Sequence, residues 1–279
     1  MVESSQSGKL NNNLWRSRSD YGLFTRQGIP LITIIIGSIL VLLFTTVLTI
    51  AGVGAAFIII PTFYWLGIPL KEAMAVALLL NAFSMAFASA NYIRRKLVVF
   101  QTAIPIIILA IIFSPLGAYS TKFFSEKLLL GLFIIFLVFA GSMMLFYRPK
   151  QKVSSESTRK ELVSGIATGT FAGYLGGLLG VGGGNFIVPA LVWLGFDPKK
   201  ASATTAFIVI FSSLSGFFGH ATTGHVNLTL LSFSAIGSIA GALIGSWLMT
   251  EKLQSRHVKM VIGIVLYGIA VKMAWGVIF

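Results

Sequence analysis

Apolar runs long enough to cross a bilayer recur from Ile29 to the end of the chain, and they constrain the fold more than any other feature. A hydrocarbon core about 30 Å thick takes roughly 20 helical residues to span. Candidate spans fall at 30–50, 72–92, 101–119, 128–147, 162–179, 201–219, 228–249 and 259–278. The runs are continuous rather than alternating, so their backbone groups are satisfied within helices and not in a closed barrel. Only 10% of residues are charged, against about a quarter in soluble domains, which excludes a water-soluble fold. The expectation is an all-α integral membrane protein, a polytopic helical bundle of about eight spans, multi-pass in the cell membrane and in contact with the lipid bilayer.

Two shorter apolar pieces, 54–66 and 182–194, suit broken or re-entrant helices, and each follows a glycine-rich break. They also expose a duplication. Val53-Gly54, Pro61 and Leu66-Gly67 match Val181-Gly182, Pro189 and Leu194-Gly195 at a constant offset of 128, which also pairs Lys71 with Lys199, Phe83-Ser84 with Phe211-Ser212, and Val98 with Val226. The chain therefore divides into a polar N-terminal tail (1–28), a first repeat (29–147), a polar linker (148–161) and a second repeat (162–279). Homologous repeats of this kind usually enclose a site at their shared interface, near mid-membrane.

The net charge of +13 resides in short segments between apolar runs and forms no continuous basic stripe, so it signals topology and not nucleic-acid binding. With both short pieces re-entrant, the tail, the 94–96 cluster, the linker and the C-terminus share one side, taken as cytoplasmic. Full crossings by the short pieces would instead give ten spans and inverted rather than parallel repeats; the eight-span path is preferred here. The absence of cysteine removes disulfides and thiolate metal sites.

The richest segment runs from Gly173 to Asn185 and ends in three successive glycines, Gly182, Gly183 and Gly184. Glycine costs about 1 kcal/mol relative to alanine inside a helix, so the helix is expected to break here. If it restarts at Asn185, free N–H groups and the positive end of the helix dipole point into the break, an arrangement that binds anions without a charged side chain. The first half holds a weaker copy around Gly52 and Gly54, with Ala55 and Ala56 in place of Gly183 and Gly184. The competing account is packing alone, since Gly173/Gly177, Gly176/Gly180 and Gly180/Gly184 have the G-x-x-x-G spacing, and packing is the favoured account for Gly237, Gly241 and Gly245. A dinucleotide or Walker loop fails on the residues.

The paired breaks, each followed by an apolar run to Pro61 or Pro189 and then Leu-Gly, resemble the TauE/SafE sulfite exporter family of membrane permeases over 30–278. The most specific part is Gly176-Gly177-Leu178-Leu179-Gly180-Val181-Gly182-Gly183-Gly184-Asn185 with Pro189 behind it. The resemblance implies a permease for sulfite, an organosulfonate or a related sulfur or organic oxyanion.

Polar residues inside spans are costly in lipid and usually face protein or a cavity. Asn81 and Ser84 share a helical face with Met85, and Thr205, Ser212 and Ser213 do so approximately in the matching helix. Their donors suit an oxyanion, although membrane Ser and Thr more often bond their own backbone or a neighbouring helix. His220 and His225 are expected in a water-exposed loop. All eight acids fall in tails, loops or span ends, which argues against a cation carrier and against acid–base or metal hydrolysis in the membrane.

The sequence thus predicts a transporter and not an enzyme, carrying a small anion by alternating access between two repeats, with no cofactor and no metal. The substrate-binding set is Gly52, Gly54, Asn81, Ser84, Gly182, Gly183, Gly184, Asn185, Thr205 and Ser212. A membrane anchor or assembly subunit is the rival, and a homo-oligomer is left open.

Overall fold

The computed structural model describes residues 31–66, 68, 70–146, 158–221 and 228–278. The polar tail, most of the linker and His225 lie outside the described residues. Among the described residues ten α-helices follow one another: α1 (Leu31–Ala51), α2 (Ala56–Trp65), α3 (Leu70–Arg94), α4 (Phe100–Ser120), α5 (Glu126–Phe146), α6 (Thr158–Leu178), α7 (Gly184–Trp193), α8 (Pro198–Ala221), α9 (Leu228–Trp247) and α10 (Ser255–Ile278). A π-helical turn, Leu248–Lys252, ends α9. No strand occurs among the described residues. The protein is a polytopic helical membrane protein, and five of its described helices are long and apolar enough to cross a bilayer.

The helices are apolar on the outside, and they bury small and hydroxyl side chains beside large apolar ones. Along α1, Ile35, Ile39, Leu43 and Val47 are exposed at a spacing of four, while Thr45 and Thr49 are buried. Solvation by lipid explains this: aliphatic side chains lose nothing by facing hydrocarbon, whereas hydroxyls and glycines gain from helix contact. Two glycine seams result. In the first, α6 lies on α4, where a Cβ on Gly173 would come 2.7 Å from the Ala110 Cα and one on Gly177 1.9 Å from the Ser114 carbonyl oxygen. In the second, Gly237, Gly241 and Gly245 of α9 press on the α1 backbone at Ser38, Leu42 and Thr46.

The order of these contacts fixes the helix directions. Gly237, Gly241 and Gly245 meet α1 in ascending order, so α9 runs parallel to α1; Gly169, Gly173 and Gly177 ascend along Ile106, Ala110 and Ser114, so α6 runs parallel to α4. Ser238 hydroxyl donates to the Leu80 carbonyl and Asn91 amide to the Ser246 hydroxyl, so α9 also runs parallel to α3. Between α3 and α8 the order reverses: Asn81 bonds Ser213, whereas Val99, just beyond α3, donates to Thr204. Helices in corresponding positions of the two halves, α3 and α8, are therefore antiparallel.

This corrects the path expected from the sequence. The end of α3 carries Arg95, ion-paired with Glu251. The opposite end carries His220, whose ring bonds the Gly177 carbonyl at 3.0 Å. Helix α1 starts at the His220 end, with Gly37 against Leu66 and Phe63, and finishes towards the Arg95 end, where Tyr92 donates its hydroxyl proton to the Thr49 carbonyl. Because α3 starts again at the His220 end, each short helix with its break carries the chain back across. The short pieces do not leave and re-enter on one side. The parallel-repeat path fails, and the 94–96 cluster lies at the opposite end from the start of α1.

His220 also departs from expectation, being buried in α8 against the end of α6 and not exposed in a loop.

Candidate functional site

Both glycine-rich breaks arrive at the crossing of α3 and α8. Gly52 and Gly54 of the first break, and Gly180, Gly182 and Gly183 of the second, all have positive φ, between 68° and 80°. L-residues rarely adopt this conformation, which is why glycine occupies these turns. Contact demands glycine as well. A Cβ on Gly184 would come 2.4 Å from the Val53 carbonyl oxygen, so the two breaks abut directly; one on Gly52 would come 2.2 Å from the Ser202 carbonyl oxygen, and one on Gly183 2.7 Å from that of Ala172.

Half-helices α2 and α7, ten residues each, start from these breaks. Each helix N-terminus carries a partial charge of about half a proton, and its first N–H groups have no acceptor within the helix. Two such ends face one another inside the protein. Around them, the buried polar side chains among the described residues are Thr, Ser, Asn and one His, with no carboxylate, Lys or Arg. The site is thus neutral in side-chain charge and positive in backbone dipole.

The side chains at the crossing fall into two groups. The first is fully engaged within the protein. Asn81 Oδ1 accepts from the Ala55 N–H at 2.9 Å, and its Nδ2 donates to Ser213 Oγ at 2.9 Å. Ser212 donates to the Gly182 carbonyl at 2.6 Å, and Ser114 donates to the Ser212 carbonyl. Ser84 turns back to donate to the Asn81 carbonyl in its own helix. The second group is buried without a protein partner: Asn185 Oδ1 and Nδ2, Thr205 Oγ1 and Ser202 Oγ. Thr205 lies on the same α8 face as Ser202, Ser212 and Ser213 by helical spacing.

The structure thus gathers Gly52, Gly54, Asn81, Gly182, Gly184 and Ser212 at one crossing, while Asn185 and Thr205 present buried, unmatched donors on the helices that frame it. Ser84 is directed into its own helix. Ser213 is central here although it is absent from the expected set. The signal that singles it out is asymmetry, since its partner at the 128-residue offset is the apolar Met85. Polar atoms buried without a protein partner cost about 1 to 3 kcal/mol each unless something else meets them, which makes Asn185 a candidate to meet a ligand. Backbone N–H, amide and hydroxyl donors around two positive helix ends are the chemistry for a small anion.

The comparisons with known proteins agree with this architecture. The chain is similar to the "Probable membrane transporter protein YunE" of Bacillus subtilis, with 29% identity over 262 residues, covering 84% of this chain and 94% of the relative. A "Probable membrane transporter protein" of Methanocaldococcus jannaschii matches at 25% identity over 231 residues, covering 77% of this chain and 85% of the relative. Over a shorter stretch, 37% of this chain and 22% of the relative, it is 29% identical to "Sulfite exporter TauE/SafE family protein 1" of Arabidopsis thaliana. The model of the family described as "Sulfite exporter TauE/SafE" matches residues 36–273, a span that takes in α2 to α9 whole, most of α1 and α10, and both breaks. A bundle of apolar helices meeting at two glycine breaks is thus the frame of a membrane transporter and not of an enzyme, and the chain belongs to the sulfite exporter TauE/SafE family.

Proposed function

We propose that the protein carries a small oxyanion, sulfite or an organosulfonate, through a site at the facing N-termini of α2 and α7, by alternating access between two inverted halves. The observation that carries this reading is Asn185: wholly buried, in the first turn of α7, with both polar atoms lacking a protein partner. Its amide N–H groups, the first-turn backbone N–H groups and the Thr205 hydroxyl supply donors for an oxyanion. No buried carboxylate among the described residues opposes the charge. A cation would meet two positive helix ends and no compensating acid.

The halves support alternating access because the elements recur at the sequence offset, α2 and α7 at Ala56–Trp65 and Gly184–Trp193 and α3 and α8 beginning at Leu70 and Pro198. Their contacts are reciprocal: the first helix of each half lies on the fourth of the other, α1 on α9 and α6 on α4. Antiparallel α3 and α8 make this an inverted relation, the arrangement in which two oppositely directed halves can exchange roles around a fixed central site.

The same path gives an orientation. Among the described residues, the Arg95 end gathers the 94–96 cluster, Arg159, Lys160, Lys199, Lys200, Lys252, Arg256 and Lys259, while the other end has Lys71, Lys122 and Lys127. Lys and Arg concentrate on the cytoplasmic side. The Arg95 end is therefore assigned to the cytoplasm, which places the start of α1 and the end of α10 outside, the reverse of the orientation expected from the sequence.

Purified protein in proteoliposomes, screened for exchange of radiolabelled sulfite, methanesulfonate, sulfate and chloride, tests the substrate reading. Transport of a sulfur oxyanion that Asn185→Asp abolishes more completely than Asn185→Ala supports it, because the carboxylate keeps the shape and adds repulsion. An Asp variant that transports as well as the parent would return the glycine segment to plain helix packing.

A further inference from the structure

The two breaks are alike in backbone and unlike in what fills them. At the first, the N–H of Ala55, next to the start of α2, is met by Asn81 Oδ1 at 2.9 Å. That donor faces oxygen and not the amide nitrogen, because an N–H can only be met by an acceptor. The second amide bond, Nδ2 to Ser213 Oγ at 2.9 Å, holds the oxygen in place from across the interface between halves. A Cβ on Gly54 would come 1.9 Å from this oxygen, so Asn81 Oδ1 lies hard against the break, and Asn81 is wholly buried.

At the second break the corresponding residues, 128 positions on, are Gly183 for Ala55 and Val209 for Asn81. Val209 is buried and offers no acceptor. Gly183, which has no side chain to offer, is the N-cap of α7. The side chain at this helix start, Asn185, has no protein partner for either polar atom. The first N-terminus is therefore closed by a side-chain oxygen of the protein, whereas at the second the Val53 and Ala172 carbonyl oxygens lie against Gly184 and Gly183 but no side-chain oxygen bonds the helix start.

We infer that Asn81 stands in the first break as a built-in substitute for an anion, so that the protein takes one substrate anion per chain, at the second break alone. This rests on the anion site proposed above and adds its stoichiometry and the residue that sets it. The carboxamide oxygen presents to the α2 N-terminus the acceptor that an oxyanion oxygen would present to α7, without the charge. Asn81 is a positioning residue: it touches no substrate, and it decides which of two similar helix ends is vacant to receive one.

The test measures bound radiolabelled sulfite per chain by equilibrium dialysis of purified full-length protein in detergent. The parent is expected to bind one. Asn81→Ala is expected to bind two, the second at the vacated Ala55 N–H, and the reciprocal Val209→Asn is expected to weaken binding at least about tenfold by supplying the second break with its own acceptor. Thermal unfolding checks that each variant is folded, and if Asn81→Ala does not fold, Val209→Asn decides alone. Two anions bound by the parent, one bound by a folded Asn81→Ala, or parental affinity in a folded Val209→Asn would each overturn the inference. Failure of the underlying site is distinguishable, since it would show as no sulfite bound by the parent or as no effect of Asn185→Asp.

Discussion

Replacing Asn185 by leucine should make the substrate-free protein more stable and its substrate binding worse. Leucine has the same branching and the same number of side-chain heavy atoms, is somewhat bulkier and carries no polar atoms, so it fills this space without the orphaned amide. Both Oδ1 and Nδ2 of Asn185 are buried without a protein partner, and an unmet buried polar group costs about 1 to 3 kcal/mol. Removing that cost should raise the apparent Tm in detergent by a few degrees for a chain of this size. The same change removes hydrogen bonds to the anion worth about 1 to 3 kcal/mol, a loss of roughly 5- to 150-fold in affinity. Differential scanning fluorimetry with and without sulfite reads both terms: the unliganded Tm should rise and the sulfite-induced shift should shrink. A variant whose unliganded Tm falls while its sulfite shift persists would show that Asn185 serves the fold and not the ligand.

The remaining expectations concern packing and path. Gly184→Ala places a Cβ 2.4 Å from the Val53 carbonyl oxygen, so it should force the two breaks apart, abolish transport in proteoliposomes and lower stability by about 1 to 3 kcal/mol. Gly177→Ala, with its Cβ 1.9 Å from the Ser114 carbonyl oxygen, should separate α6 from α4, whereas Gly268→Ala, with nothing within 4 Å, should be neutral or stabilise by up to about 1 kcal/mol; thermal unfolding of the pair checks the seam. The chain lacks cysteine, so single cysteines are clean probes: Gln254→Cys at the Arg95 end should react with an impermeant maleimide only from the cytoplasm, and Ser125→Cys, beyond the other end of α4, only from outside. Labelling of both from one side would break the proposed path.

Much of this architecture is written in local sequence. Apolar runs of membrane length give the long helices, because every backbone group in lipid must be satisfied within its own segment. Gly52, Gly54 and the 182–184 triplet mark the breaks, because positive φ is available cheaply only to glycine. The four-residue spacing of Gly237, Gly241 and Gly245 announces a close seam, as small residues on one helical face allow backbones to touch. Three things depend on the assembled fold. Whether a ten-residue helix returns to its own side or carries the chain across is set by where its neighbours begin, and Gly37 against Leu66 places the end of α2 beside the start of α1. Asn81 and Asn185 look equally suited to a ligand in sequence; only the approach of the Ala55 N–H and of Ser213, 132 residues from Asn81, engages the one and leaves the other unmatched. His220 becomes buried because the end of α6 brings the Gly177 carbonyl to its ring. Hydrogen-bond partners and helix direction are properties of contacts between distant segments, and helical periodicity and glycine spacing carry no information about them.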